Sequence, residues 1–295
     1  MTGAQRGFLL LTSQLGNPER KPLTVAQFRT LATRAAQMER PEISRELTED
    51  DVVALGYDRK TASRIVNLLQ DERALERYIS LGHKHDCFPI SRVSYDYPPQ
   101  VRQRLGLDAP GCLWTKGDTR LLNTPLVSLV GSRELLDANR KFAETAGREA
   151  ARQGITLVSG NAKGADRTVQ DACLAAGGNV ICVVADELQK YPVRENVLFL
   201  SEDSFDLPFS PQRALSRNRV IHTLGYITLV AQCRVGVGGT WDGTYKNLQH
   251  SWSPVFCFDD ESPASAELMQ LGATPIGQEQ LKDLAQLHAC TECFL

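Results

Sequence analysis

The sequence predicts an α/β protein: a mostly parallel sheet with helices on both faces, preceded by a small helical module. From residue 125 onward, short apolar runs with strand character alternate with helix-like segments, which is typical of βαβ units. Before residue 86, apolar residues instead recur at helical spacing with few β-branched runs. We therefore expect a helical N-terminal module (1–85), a connecting segment (86–119), a main α/β domain (120–260) and a short C-terminal extension (261–295).

The N-terminal module is predicted from two helical stretches, residues 24–40 and 47–80, with a tight turn at 55–58. A scaffold role suits such a module better than a helix-hairpin-helix contact to a DNA backbone, which stays an alternative. Proline and glycine at 96–99 and 108–111 then interrupt the chain, as linkers do.

The main domain is predicted from six strands, each followed by turn residues or a helix. Helices are expected at residues 140–152, 166–176, 210–224 and 240–248, with strands near 126–130, 155–159, 179–184, 197–200, 226–231 and 254–258. Crossovers between parallel strands are right-handed, so the loops that leave the strands gather on one edge of the sheet. We expect the functional site at that edge.

Composition excludes several classes of protein. The 295 residues carry a formal charge of −2, which excludes a globally basic nucleic-acid binder but allows a locally basic cleft. No apolar run approaches the roughly 20 residues of a membrane span, and polar residues follow the apolar run at 8–11 at once. Eight scattered cysteines indicate reduced thiols. We expect a cytoplasmic protein with no membrane association.

Two glycine-bearing loops follow the first two strands of the main domain. The first is Gly131, Ser132 and Arg133, in which the arginine suits a phosphate. The second offers backbone N–H groups and a lysine ahead of a helix, through Ser159, Gly160, Asn161, Lys163 and Gly164. It is neither a Walker A loop nor a dinucleotide fingerprint, and the following Asp166 also suits a helix N-cap.

A third glycine-rich loop, residues 236–240, opens another helix and includes Gly238, Gly239 and Thr240. Just upstream on a predicted helix stand Arg217, Asn218 and Arg219. Arginines at i and i+2 do not share a helix face, so one reaches a phosphate while the other braces the fold.

These motifs, in this order, resemble the DprA/Smf DNA-processing family. The resemblance also includes the segments 97–99, 113–118, 130–133, 158–166 and 217–219, and Tyr191-Pro192 with Asn196 and Ser201-Glu202. It implies an extended Rossmann-like domain that binds single-stranded DNA in a positively charged pocket, self-association, and help in loading a RecA-type recombinase. The family's pocket arginine falls on Arg133 and its glycine-rich loop on 160–164.

The sequence also departs from that family. Leu136, Ala138 and Asn139 replace its usual Ser, Tyr and Gly, and Gln232 stands where a glutamate is usual. The loop at 236–240 is similar to that of lysine-decarboxylase-like nucleoside-monophosphate phosphoribohydrolases, with Asp242 as the nearest acid. We also expect no winged-helix domain of the kind that many family members carry.

Metal and triad chemistry have weak support. His83, His85 and Cys87 with Cys290 and Cys293 form two half-signatures of a zinc site. None of the five histidines lies in the three loops, and no nucleophile elbow is present. We predict no metal, no cofactor and no catalytic residues.

The favoured interpretation is a non-enzymatic, oligomeric protein that binds single-stranded DNA through its phosphates and helps a recombinase to load. Two alternatives use the same cleft: a nucleotide sensor and a nucleoside-monophosphate N-glycoside hydrolase. A third alternative is a protein-interaction scaffold with a degenerate cleft.

Overall fold

The computed structural model describes residues 1–37 and 46–287. Its nine described strands are β1 Phe88–Ser91, β2 Cys112–Gly117, β3 Leu126–Val130, β4 Thr156–Ser159, β5 Val180–Val184, β6 Val197–Glu202, β7 Ile227–Val230, β8 Val255–Phe258 and β9 Thr274–Ile276. The described helices are α1 Gly3–Thr12, α2 Val25–Ala35, α3 Glu49–Ala54, α4 Arg59–Gln70, α5 Glu72–Lys84, α6 Pro99–Leu105, α7 Asp137–Arg152, α8 Ala165–Ala175, α9 Pro211–Leu224, α10 Gly238–His250 and α11 Pro263–Gln270.

All nine strands form one sheet in the order β1-β2-β6-β5-β4-β3-β7-β8-β9. The pairs β1/β2 and β2/β6 are antiparallel, and the remaining pairs are parallel. The chain builds outward from β3 through β4, β5 and β6, then crosses back to place β7 on the other side of β3. The loops after β3 and β7 therefore diverge, and such a switch point opens a crevice at the carboxyl edge.

Helices cover both faces of the sheet, as predicted. Phe142 of α7 and Val169 of α8 are fully buried on one face, and Val101 of α6 and Val220 of α9 are fully buried on the other. The N-terminal helices have a smaller core of their own. Helix α1 joins it to the sheet, because Leu9 and Leu10 pack with the first face while Leu11 packs inside the module.

The interpretation of residues 86–119 as a connecting segment is wrong in one respect, because this segment supplies β1 and β2. The predicted C-terminal extension likewise supplies α11 and β9. Both edge strands contain a proline, Pro89 and Pro275. Proline usually indicates the end of a strand, but it is tolerated at a sheet edge. The boundaries at 85, 119 and 260 stay a prediction.

No helix within the described ranges combines the length and apolar character that crossing a membrane requires. All six cysteines in those ranges are free and buried, as the sequence indicated.

A buried polar network joins α9, α10 and β7. His222 is fully buried, and its Nδ1 lies 3.1 Å from the Asn247 amide nitrogen. Asn247 also bonds Ser253, whose hydroxyl lies 2.9 Å from that of Thr228. Burial, and secondarily the charge of Arg217, lower the pKa of His222 to about 3.

This network makes the fold sensitive to acid. Below a pH of about 6.5, His222 is protonated in the unfolded chain but stays neutral in the folded chain. The free energy of unfolding therefore falls as pH falls. Between pH 7 and 5 this histidine alone lowers the free energy of unfolding by about 2 kcal/mol. Over the same pH interval, the free energy of unfolding of His222→Asn should fall by about 2 kcal/mol less than that of the wild type. Urea unfolding of both proteins at both pH values measures this. An equal pH dependence in both proteins would contradict this.

Candidate functional site

The candidate site is a cleft of about 650 Å³ at the carboxyl edge of the sheet, between the loops that leave β3 and β7. We call it the strand-edge cleft. Loops from β3, β4 and β7 and the first turns of α9 and α10 contribute its walls. Its lining consists of 130–134, Ala162, Asp166, Phe209, Pro211, 214–215, 217–218, Arg234 and 237–240.

The structure brings eight of the fourteen predicted site residues to this cleft. They are Gly131, Ser132, Arg133, Arg217, Asn218, Gly238, Gly239 and Thr240. Six do not line it: Ser159, Gly160, Asn161, Lys163, Gly164 and Arg219. Of these six, Gly160 and Gly164 pack against residues that do line it.

The cleft walls are held together by hydrogen bonds between loops. The amide of Ser132 donates to the Gln232 carbonyl (2.9 Å), and the Thr240 hydroxyl donates to the Gly131 carbonyl (2.9 Å). The Asn218 amide donates to the Gly239 carbonyl at 2.9 Å. The cleft is thus preformed, with little backbone left to order on binding.

Gln232, which stands in place of an expected acid, also acts as a brace. Its side-chain oxygen accepts a hydrogen bond from the Leu136 amide at 2.9 Å. The amide of Asn139 bonds the Ala231 carbonyl and Asp260 at 2.8 and 2.7 Å. These departures from the family pattern therefore fix the loops after β3 and β7 to each other.

Arg217 dominates the floor of the cleft. Its side chain is 11% exposed, and its Nη2 lies 3.8 Å from an oxygen of Asp166, whose side chain is 9% exposed. At 3.8 Å this is an ion pair without a hydrogen bond. The guanidinium donates no hydrogen bond to any residue the structure describes, and its Nε is buried without a partner. A buried, unsatisfied donor of this kind is costly and requires an explanation.

Neither ion of this pair is fully compensated by the other. Burial raises the pKa of Asp166, and the nearby Arg217 charge opposes that shift only in part. Burial likewise lowers the pKa of Arg217, against the attraction of Asp166. Asp166 is not the N-cap that the sequence allowed: Gly164 holds that place, and the Asp166 carboxylate accepts the Ala162 amide at 3.2 Å.

Gly160 and Gly164 are required by close approach to other parts of the chain. A Cβ on Gly160 would lie 2.0 Å from Nη1 of Arg217, so the guanidinium packs directly on this glycine. Gly164 has φ +89°, and a Cβ there would lie 2.3 Å from the Arg133 carbonyl oxygen. The second predicted loop therefore packs against the first loop and against Arg217 and holds both in place.

The other predicted residues of that loop face elsewhere. Ser159 is buried and accepts from Gln170, and Asn161 donates to the Tyr191 hydroxyl at 3.0 Å. Lys163 is exposed beside the cleft wall. Arg219 lies on the opposite side of α9 from Arg217 and pairs with Glu202 at 3.3 Å. The i, i+2 argument thus separated the two arginines correctly.

The cleft carries a positive bias. Arg133 is exposed and makes no ion pair with any residue in the described ranges, while Arg234 pairs with Glu134 at 3.2 Å. Helix α10 starts at Gly238 with no side-chain cap, so its first N–H groups and its positive dipole end are directed to the cleft. Against three arginines stand Glu134 and Asp166.

Sequence reasoning missed several lining residues. Arg234 stands four residues after the end of β7 and two residues before the third loop, which was a usable signal. Phe209 and Leu215, exposed at 55% and 45%, give the cleft an apolar rim that no motif indicated.

The carboxylate proposed for hydrolysis lies outside the cleft. Asp242 faces a separate groove and pairs with Lys246 at 2.9 Å. No group of three or more His, Cys, Asp or Glu side chains able to hold a metal occurs in residues 1–37 and 46–287. Cys290 and Cys293 lie outside the described residues, so the predicted absence of zinc stays a prediction.

Comparisons with known proteins agree on one family. The model of the family "DNA recombination-mediator protein A" matches residues 89–286. The chain is 28% identical to DNA processing protein DprA of Bacillus subtilis over 253 residues, which cover 79% of this chain and 83% of that protein. It is 29% identical to Protein Smf of Escherichia coli over 157 residues, which cover 48% of this chain and only 40% of that relative.

Two solved structures are similar. DprA from Streptococcus pneumoniae matches with a TM-score of 0.69 and 22% identity over 97% of this chain and 98% of that one, which supports the fold alone. DprA from Helicobacter pylori, whose structure concerns its single-stranded DNA binding mode, matches with a TM-score of 0.58 and 25% identity over 68% and 96%.

Proposed function

Because this chain belongs to the DNA recombination-mediator protein A family of DNA-processing proteins, as its DprA/Smf motifs predicted, we propose that it binds single-stranded DNA in the strand-edge cleft. The observation that carries the proposal is the unsatisfied guanidinium of Arg217. A phosphate oxygen in the cleft would supply an acceptor for this guanidinium, which donates to none of the described residues.

Three groups converge on such a phosphate. Arg217 supplies charge from the floor, Arg133 supplies an exposed and unpaired guanidinium from the first loop, and the uncapped start of α10 supplies backbone N–H groups. The similarity to the Helicobacter pylori protein adds support for a single strand as the ligand.

We further propose that the protein is a binder without catalytic residues and that it helps a RecA-type recombinase to load, as a self-associating protein. The position of Asp242 outside the cleft supports the first point over the hydrolase alternative. In the cleft, Asp166 is already engaged by Arg217 and the Ala162 amide. The family's description as a recombination mediator supports the second point.

The DNA proposal predicts that Arg133→Ala weakens oligothymidine binding about tenfold, because a charged hydrogen bond to phosphate is lost. Thermal stability should change by less than about 0.5 kcal/mol, since the side chain is exposed. We expect the slope of log K against log salt to become shallower by about 0.7, the value for one phosphate on a single strand. Fluorescence anisotropy across a salt series measures both quantities.

The matched control is Arg148→Ala, which removes an exposed arginine from α7 that pairs with Glu144 and does not line the cleft. It should leave affinity and salt slope unchanged. Failure of the folded wild-type protein to bind oligothymidine at low salt, or an equal loss in both variants, would refute the cleft as the DNA site.

A further inference from the structure

A second cavity of about 450 Å³ lies where the N-terminal helices meet the antiparallel end of the sheet. We call it the interface pocket. Its volume falls in the usual range for small-molecule sites, and junctions between structural units are common places for them. Phe8 and Phe28 supply an aromatic wall, with ring centroids 4.8 Å apart. It shares no lining residue with the strand-edge cleft.

Arg92 supplies free donors on one side of this pocket. Its guanidinium lies over the Phe8 ring, 5.4 Å from the centroid, and Nη1 donates to the carbonyls of Leu107 and Ala109 at 2.8 and 3.2 Å. Its Nε and Nη2 donate to none of the described residues, and no described carboxylate lies within ion-pair distance. Asp108 lines the same pocket and attracts Arg92 from beyond ion-pair distance, but Nε and Nη2 stay available to an anionic group.

Asp203 supplies an acceptor on another side. Its carboxylate accepts no side-chain hydrogen bond from the described part of the chain; the Cys112 backbone lies beside it, and the Asp203 amide donates to the Cys112 carbonyl at 2.8 Å. Surrounding protein atoms and the negative charge of Glu202 raise its pKa to about 6, so it is ionised at neutral pH. Its φ of +62° lies in the left-handed region, which aspartate and asparagine tolerate better than other L-residues.

Strand pairing fixes the distance between these two groups. Arg92 directly follows β1 and bonds Gly111, which directly precedes β2. Asp203 directly follows β6 and bonds Cys112 of β2. The two residues therefore lie two strands apart, about 10 Å between backbones. Gly111 keeps the floor between them low, because a Cβ there would lie 3.3 Å from the Phe8 ring.

A ligand for this pocket needs an anionic group at one end, a flat body, and hydrogen-bond donors at the other end. A carboxylate has only acceptors, so its best partner offers two adjacent N–H groups. The N1–H and exocyclic amino group of guanine are such a pair, whereas adenine offers an acceptor at N1. We propose that the interface pocket binds a guanine mononucleotide, with its base edge on Asp203 and its phosphate on Arg92.

Isothermal titration calorimetry of the full chain with GMP and AMP at about pH 7.5 tests this. Wild-type protein should bind GMP at least about tenfold more tightly than AMP. Asp203→Asn should remove that preference by weakening GMP at least tenfold. Asparagine tolerates positive φ, so this variant keeps the fold, which its melting temperature verifies.

The cleft variant Arg133→Ala serves as the second control and should bind GMP as the wild type does. This control distinguishes the two sites, because Arg133→Ala should lose oligothymidine binding while the interface pocket stays unchanged. The proposal is overturned if the wild type does not bind GMP at millimolar concentration or binds GMP and AMP with equal affinity. It is also overturned if Asp203→Asn binds GMP as tightly as the wild type, or if Arg133→Ala loses GMP binding.

Discussion

Replacing Arg217 by alanine is expected to lower the free energy of unfolding by about 3–5 kcal/mol, because the buried carboxylate of Asp166 then loses its partner. Burial already raises the pKa of Asp166 despite the arginine, so the unpaired carboxylate is the source of the instability. Urea unfolding at neutral pH measures the loss. The same variant should also lose oligothymidine binding when assayed well below its melting temperature.

A double variant separates lost pairing from lost packing. If the unpaired ion is the cause, Arg217→Ala combined with Asp166→Asn should recover part of the stability that Arg217→Ala alone loses. The matched single control is Arg234→Ala, another cleft arginine in an ion pair, whose side chain is 66% exposed. It should change stability by less than about 0.5 kcal/mol.

The contrary result is equally definite. An Arg217→Ala protein as stable as wild type would mean that the ion pair with Asp166 is not structural. If Arg217→Ala and the double variant are equally stable, the loss comes from the missing packing of Arg217 against Gly160.

Six of the seven strands with parallel neighbours, β3 to β8, were predictable because each is a short apolar run between turn signals. Five of them lie within the expected ranges, and β6 runs two residues past its own, to Glu202. The sheet edges were not, because β1 and β9 each contain a proline and β2 follows a turn-rich segment. Their strand character comes from pairing with a neighbour, which a local pattern does not contain. Helix α1 was also missed, since its apolar run was weighed only as a targeting segment.

The site was predictable to the level of loops and less so to the level of side chains. Glycine and arginine motifs placed the three loops at one edge, and the i, i+2 spacing separated Arg217 from Arg219. The packing roles of Gly160 and Gly164 were not predictable, because a glycine that admits a ligand and a glycine that admits another part of the chain have the same sequence signal.

Replacing Gly164 by alanine is expected to cost more than about 3 kcal/mol and to weaken DNA binding. The residue has φ +89° and ψ −127°, a backbone conformation that lies outside the left-handed helical region and that L-residues rarely adopt. The added Cβ would also lie 2.3 Å from the Arg133 carbonyl oxygen and 2.5 Å from that of Ser132. The start of α8 is held against the first loop by the Ala165 amide, which donates to Ser132 at 3.0 Å. Relief of the clash therefore moves Arg133.

Gly177 provides the matched control for that substitution. It stands just beyond the other end of α8 with φ +75°, and no atom lies within 4 Å of an added Cβ. Gly177→Ala should cost only the conformational part, about 1–2 kcal/mol, and leave oligothymidine affinity unchanged. Urea unfolding and anisotropy on both variants separate the two contributions. If Gly164→Ala and Gly177→Ala lose equal stability, the close contact between Gly164 and the first loop contributes nothing. If Gly164→Ala binds DNA as the wild type does, the position of Arg133 does not matter for DNA binding.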